Sequence, residues 1–241
     1  MKEKISQITV SGVPILLVRK DVKNLNMRVK RSTGVVRVSC PRRLPERVVR
    51  SFIMTKMEWI QKHLSAFKKQ KPQPVLTYSS GESHFFKGKP YTLQVVYYSA
   101  VPEVNLVEEN KIELFVRPGS GRGKREKVMK EWYRSQLKTE ICLLIKKWEP
   151  VMGVKVNEFG VKQMKTRWGT CNIRAGRLWL NLELAKKTPE CLESVVVHEM
   201  VHLLERLHNK RFYRLMGQFL PDWRERERDL TSQHRCNNQV R

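Results

Sequence analysis

The sequence predicts an α+β protein: a β-rich N-terminal portion with one amphipathic helix, followed by a more helical C-terminal domain. Three observations carry this expectation. Short apolar runs punctuated by turn residues fill most of residues 1–120. Beyond residue 120, apolar residues recur at helical spacing over longer stretches. Between the two patterns lies Pro118-Gly119-Ser120-Gly121-Arg122-Gly123, a segment rich in helix and strand breakers. The expected domains are therefore 1–120 and 121–241.

Strands are expected at Ile5–Val10, Pro14–Arg19, Leu25–Lys30 and Val35–Val38, with turn signals at Ser11-Gly12, Lys23-Asn24 and Thr33-Gly34. These four suit a β-meander or a pair of hairpins. Pro45 then opens one helix, in which Val48, Val49, Phe52, Ile53, Met57, Trp59, Ile60 and Leu64 form an apolar face against a basic one. Lys68–Pro74 reads as a linker. Strand character returns at Phe85–Phe86, Tyr91–Tyr98, Val104–Val107 and Ile112–Val116, with hairpin turns at Gly88-Lys89 and Glu109-Asn110. From Lys124 to Val151, the positions Val128, Trp132, Leu137, Ile141, Leu144, Ile145 and Trp148 predict a long amphipathic helix. Short strands follow at Val154–Val156, Val161–Met164, Trp168–Ile173 and Arg177–Leu180, with a turn at Ala175-Gly176. Thr188 caps the next helix and Pro189 takes its first position, where a missing N–H costs nothing. No internal repeat is visible in the sequence.

Composition bounds the function. The chain has 241 residues with 48 Lys and Arg against 23 Asp and Glu, a formal charge of +25, and 40% hydrophobic residues. That is enough apolar material for a core, which excludes a wholly disordered basic tail. Residues 1–71 hold 18 Lys and Arg against 4 Asp and Glu. Such a surface attracts polyanions by counterion release, so nucleic acid bound through residues 1–71 is a possible partner, although the same charge also serves solubility. No apolar run approaches the ~18–20 residues of a membrane span, and Met1-Lys2-Glu3-Lys4-Ile5 opens no signal peptide, so no membrane partner and a cytoplasmic location are expected. The five cysteines contain no C-x-x-C pair, which argues against a disulfide framework and a cysteine zinc site. Phosphate-binding loops of the G-x-x-x-x-G-K-[ST] and G-x-G-x-x-G types are absent.

The helix after Thr188 carries His198-Glu199-Met200-Val201-His202, a match to H-E-x-x-H. Residues four apart are separated by about 400° around a helix, so both imidazoles lie on one face, one turn apart, and can reach one ion. Glu199 projects from the same turn, placed to take a proton from a water on a bound zinc. Chance alone yields this pentapeptide in roughly one shuffled sequence of this composition in a hundred, so the flanks decide. They are Leu192, Val195, Val196, Val197, Leu203 and Leu204. Two imidazoles and a carboxylate in so apolar a helix need partners, and a metal serves both imidazoles at once.

The third ligand is open between His208 and a later carboxylate, Glu205, Glu225 or Glu227, with His208 favoured. On a straight helix His208 falls about 100° from the direction shared by His198 and His202, so it ligates only if the helix ends first. Arg206-Leu207-His208-Asn209 suits such a turn, with Asn209 as the residue just past the helix end.

The run from His198 to His208 with Phe212, preceded by Lys165-Thr166-Arg167-Trp168-Gly169-Thr170-Cys171 and the short strand Leu178-Trp179-Leu180-Asn181, resembles the YgjP-like metallopeptidase family, related to the SprT-like and WLM zincins. The resemblance covers residues 120–235 strongly and the front weakly. It implies a zincin-like metallopeptidase domain, His198, His202 and His208 as Zn2+ ligands, and Glu199 as general base. Arg167 has a reading of its own: a five-donor fork suited to binding a substrate anion or to stabilising an oxyanion as a catalytic residue. Trp168 and Gly169 beside it suggest a substrate-binding wall with close backbone approach. Cys171 reads as a small hydrophobe rather than a nucleophile. The expected function is a zinc-dependent hydrolase acting on peptides. A nucleoside triphosphate pyrophosphatase using the same site is the first alternative, and a nucleic-acid-associated binding protein the second.

Overall fold

The computed structural model describes residues 3–29, 34–68, 76–107 and 110–237. The chain divides into two compact units between residues 74 and 75.

In the first unit, strands β1 (Lys4–Val10), β2 (Val13–Lys20), β3 (Asn26–Val29) and β4 (Val36–Pro41) form a sheet in the order β1-β2-β4-β3. Ser11 and Gly12 both have positive φ, 47° and 76°, the two-residue turn whose twist matches that of the strands it joins. Two antiparallel pairs, β1–β2 and β3–β4, meet along a parallel seam in which Leu17 faces Val38. The sheet is thus a pair of hairpins and not a meander. Alternation along β2 and β4 turns Ile15, Leu17, Val36, Val38 and Cys40 toward one face, where they form a core with Val49, Ile53 and Ile60. These last three come from two helices, α1 (Glu46–Thr55) and α2 (Met57–Lys68), in place of the single helix expected. At Lys56 the backbone N–H turns to the Ile53 carbonyl at 3.0 Å and the chain restarts. The apolar stripe runs on across the break, so periodicity alone conceals it.

The second unit repeats this plan. Strands β5 (Ser83–Phe86), β6 (Lys89–Tyr97), β7 (Glu103–Val107) and β8 (Lys111–Val116) take the order β5-β6-β8-β7, again two antiparallel pairs joined by a parallel seam, again followed by a helix. Lys87-Gly88 is the same positive-φ turn, and Pro90 stands where Pro14 stands in the first sheet. The sequence shared by the two copies is too short to betray the repeat.

The helix that follows, α3 (Arg122–Met152), buries Met129, Tyr133, Leu137, Ile141 and Ile145, a strict four-residue stripe, in one core with Phe86, Leu93, Ile112, Leu114 and Val116. This shared core corrects the expected domain boundary near residue 120. Pro118–Gly121 is a tight turn with Gly119 at φ 76° that delivers the chain into α3, whose first residues are Arg122 and Gly123, and β5–β8 belong with what comes after it. Gly153, at φ 64°, ends α3 in the left-handed conformation.

A small sheet then forms from β9 (Glu158–Lys162), β10 (Gly169–Asn172) and β11 (Arg177–Asn181), with β11 in the middle. The strand expected at Val154–Val156 is not formed. There the Glu149 carboxylate accepts from the Val156 N–H at 2.8 Å, and pairing begins only at Glu158. A 3₁₀ turn (Leu182–Lys186) leads to helices α4 (Pro189–Val201), α5 (Lys210–Phe219) and α6 (Trp223–Asn237). Thr33, Glu109 and residues 69–74 of the expected linker lie outside the described residues. Cys40, Cys142, Cys171 and Cys191 are free thiols. No described helix is long and apolar enough to cross a membrane.

Candidate metal centre

Helix α4 starts as its sequence dictates, with the Thr188 hydroxyl accepting from the Cys191 N–H at 3.4 Å and Pro189 at its first position. It runs through the core of the second unit, with Val196, Val197, Met200 and Val201 fully buried. It ends at Val201, earlier than a turn at Arg206–Asn209 requires. The Leu203 and Leu204 N–H groups bond to the carbonyls of Met200 and Val201 at 3.0 and 2.9 Å, tightening the last turn. Asn209 is not the residue past this helix end but the N-cap of α5, its side chain accepting from the Phe212 N–H at 3.0 Å.

The chain between the two helices doubles back and brings the third histidine onto the first two. His208 Nε2 stands 3.0 Å from His198 Nε2 and 3.1 Å from His202 Nε2. Of the competing third ligands, Glu205 pairs its carboxylate with Arg211 at 3.5 Å, and Glu227 lines the same cleft as the three histidines but is not a member of their cluster. Glu225 sits in the first turn of α6. Among the described residues the one cluster able to hold a metal is His198, His202 and His208.

Protonation suits this cluster to a cation. His202 Nδ1 lies 3.1 Å from the Glu205 carbonyl, which can only accept, so Nδ1 carries the hydrogen and Nε2 presents a lone pair. Burial, helped by the neighbouring His202 and His208, lowers the pKa of His198 to about 4. Burial also lowers that of His202. Neutral imidazole is the ligating form. Beneath the three rings lies Phe212, wholly buried, with its centroid 4.6–4.9 Å from each of theirs. It holds the rings in place, a role that sequence reading did not assign. The signal was an aromatic residue four positions after His208.

Glu199 is 6% exposed, and burial raises its pKa to about 8, with the Arg167 guanidinium offsetting part of the shift. Its carboxylate packs against the backbone of Gly169, where a Cβ would lie 2.6 Å from Oε1 and 2.7 Å from Cγ. The close approach expected at Gly169 is therefore made by Glu199. Arg167, Trp168 and Gly169 line, together with His198, Glu199, His202 and His208, a cleft of about 670 Å³. Arg167 is exposed on the loop before β10, and Trp168 is half-buried with Lys187 Nζ 5.6 Å from its ring centroid. Cys171 also faces the cleft. Burial, then the Glu199 charge, raises its thiol pKa to about 11, so it is no nucleophile.

Three convergent histidines, a buried carboxylate beside them and a cleft open to substrate form the arrangement of a metal-assisted hydrolase. No curated protein matches the chain. A family model described as YgjP-like, metallopeptidase domain, matches residues 23–233, which include the whole cluster and the loop opposite it. The chain belongs to the YgjP-like metallopeptidase domain family.

Proposed function

We propose that the protein is a zinc-dependent peptidase, with His198, His202 and His208 as the zinc ligands and Glu199 as the general base. The observation that carries this reading is the convergence of three Nε2 atoms, with spacings of 3.0 and 3.1 Å from His208 to the other two. A tetrahedral ion with Zn–N bonds of about 2.0–2.1 Å requires spacings of about 3.3–3.4 Å, reached by moving each ring a few tenths of an ångström. Zinc bound there supplies a water of pKa about 7 and polarises a carbonyl. Glu199 takes a proton from the attacking water on its carboxylate and returns it to the leaving amine nitrogen. Arg167 directs its guanidinium at the negative charge that develops on the carbonyl oxygen.

The peptide substrate is favoured by β10. It is an edge strand of its sheet and lines the cleft, so its outer backbone groups suit an extended chain. A second reading, hydrolysis of a nucleoside triphosphate, is favoured by the presence of both Arg167 and Arg206 on the cleft. Zinc-loaded wild type and Glu199→Gln, assayed against a peptide library and a panel of nucleoside triphosphates, separate the two. Peptide cleavage lost in the variant supports the proposal. Pyrophosphate release without peptide cleavage overturns the peptidase assignment. Metal analysis of wild type beside His202→Ala tests the ligand set, which fails if both hold equal zinc.

A further inference from the structure

Asn181 closes β11, is 2% exposed, and has every hydrogen-bonding position of its amide in use. Nδ2 donates to the carbonyls of Met164 at 3.1 Å and Arg167 at 2.8 Å. Oδ1 accepts from the N–H groups of Met164 and Glu183, each at 3.2 Å. The Asn181 backbone N–H donates to the Trp168 carbonyl at 2.8 Å. Two carbonyls facing Nδ2 and two N–H groups facing Oδ1 leave one orientation of the amide. A single residue thus grips both ends of the segment 164–168, which is neither helix nor strand and whose residues Lys165, Thr166 and Arg167 are exposed.

We infer that Asn181 is a positioning residue for the reaction, a latch that holds the Met164–Trp168 loop so that Arg167 and Trp168 stand over the metal centre. The inference rests on the reading in which Arg167 acts on the substrate. Only asparagine meets the requirement at this length. Aspartate has the same shape but no donor, so its carboxylate would face the Met164 and Arg167 carbonyls and repel them. Serine does not reach both. Without the latch the loop keeps its sequence and its charge but loses its fixed place, and a displacement of about 1 Å in a positioning group costs about 10²-fold in rate.

The test uses the full-length, zinc-loaded protein with Asn181→Asp and Asn181→Ser, each also made in an Arg167→Met background. Hydrogen exchange of the segment 164–168 reads the latch directly and needs no substrate. Exchange should quicken by about tenfold or more in both variants, with zinc stoichiometry unchanged. On a cleaved peptide, kcat should fall about 10- to 100-fold with KM little altered. In the Arg167→Met background the same substitutions should cost less than about twofold, because the residue through which Asn181 acts is already gone. Unchanged exchange overturns the latch. Equal losses of kcat with and without Arg167 overturn the positioning role. If the wild type cleaves no peptide, the peptidase reading falls, and the exchange experiment still decides the latch.

Discussion

Replacing Glu199 with Gln in the metal-free protein isolates the energetic cost of a buried carboxylate from its proposed role as general base. Burial raises its pKa from the ordinary 4.5 to about 8. The unfolded chain releases this proton near pH 4.5 and the folded chain holds it to about pH 8. A group whose folded pKa is raised contributes stability that is complete below the unfolded value and is lost as pH rises through the folded one. At pH 7 the loss corresponds to about 2.5 pH units, or about 3 kcal/mol at roughly 1.4 kcal/mol per unit. Gln has the same shape and does not titrate, so it escapes this penalty, less about 1 kcal/mol for a buried amide N–H left without a partner. Urea denaturation in the presence of a chelator should therefore find Glu199→Gln about 2 kcal/mol more stable than wild type at pH 7, with the advantage gone near pH 4.5. Restoring the metal should narrow the gap, because a cation beside the carboxylate favours its ionised form. A stability difference that is the same at pH 5 and pH 7.5 would refute the argument.

Gly169→Ala forces a methyl group into the Glu199 carboxylate, at 2.6 Å from Oε1, so hydrolysis should fall by about 10²-fold while metal content, measured by elemental analysis, stays at the wild-type level. His208→Ala should weaken zinc binding by about 10²-fold or more in a competitive chelator titration. Glu205→Ala should change it little, since the group of Glu205 that meets His202 is its backbone carbonyl. The pKa of His198 is depressed from 6.5 to about 4, so its contribution to the stability of the metal-free protein is present above pH 6.5 and is lost as pH falls toward 4. Dialysis at stepped pH should accordingly leave the metal in place from pH 8 down to pH 6, and substantial loss at pH 7 would contradict the neutral state of His198 and His202. Phe212→Ala opens a cavity under the three rings and should cost about 3–5 kcal/mol in a denaturant melt, with weaker metal binding than in Phe212→Leu.

Much of the site was legible because its spacing is local. Two histidines four residues apart share a helix face in any fold that keeps the helix, and Thr188-Pro189 announces where that helix begins. The end of the helix was harder to place. Nothing between Val201 and Asn209 is Gly or Pro, and the chain leaves the helix at His202 through shortened turn bonds. Asn209, which suits a terminator by its residue type, is a helix cap, but one that opens the next helix. In the same way Pro118–Gly123 has the composition of a linker while serving as a turn and the first residues of α3, because the core shared by α3 and β5–β8 is built from residues far apart in sequence.

By itself the sequence determined what depends on near neighbours: which segments alternate or turn with helical period, the capped start of α4, and the shared face of His198 and His202. The tertiary structure decided what depends on residues brought together from a distance. His208 became the third member of the cluster because a loop folds back over Phe212. Glu199 became a high-pKa carboxylate because β10 closes on it at Gly169, and Arg167 lies on the cleft in a loop whose carbonyls bond to Asn181. Local spacing fixes directions along one element, whereas desolvation and convergence arise only when several elements pack around the same point.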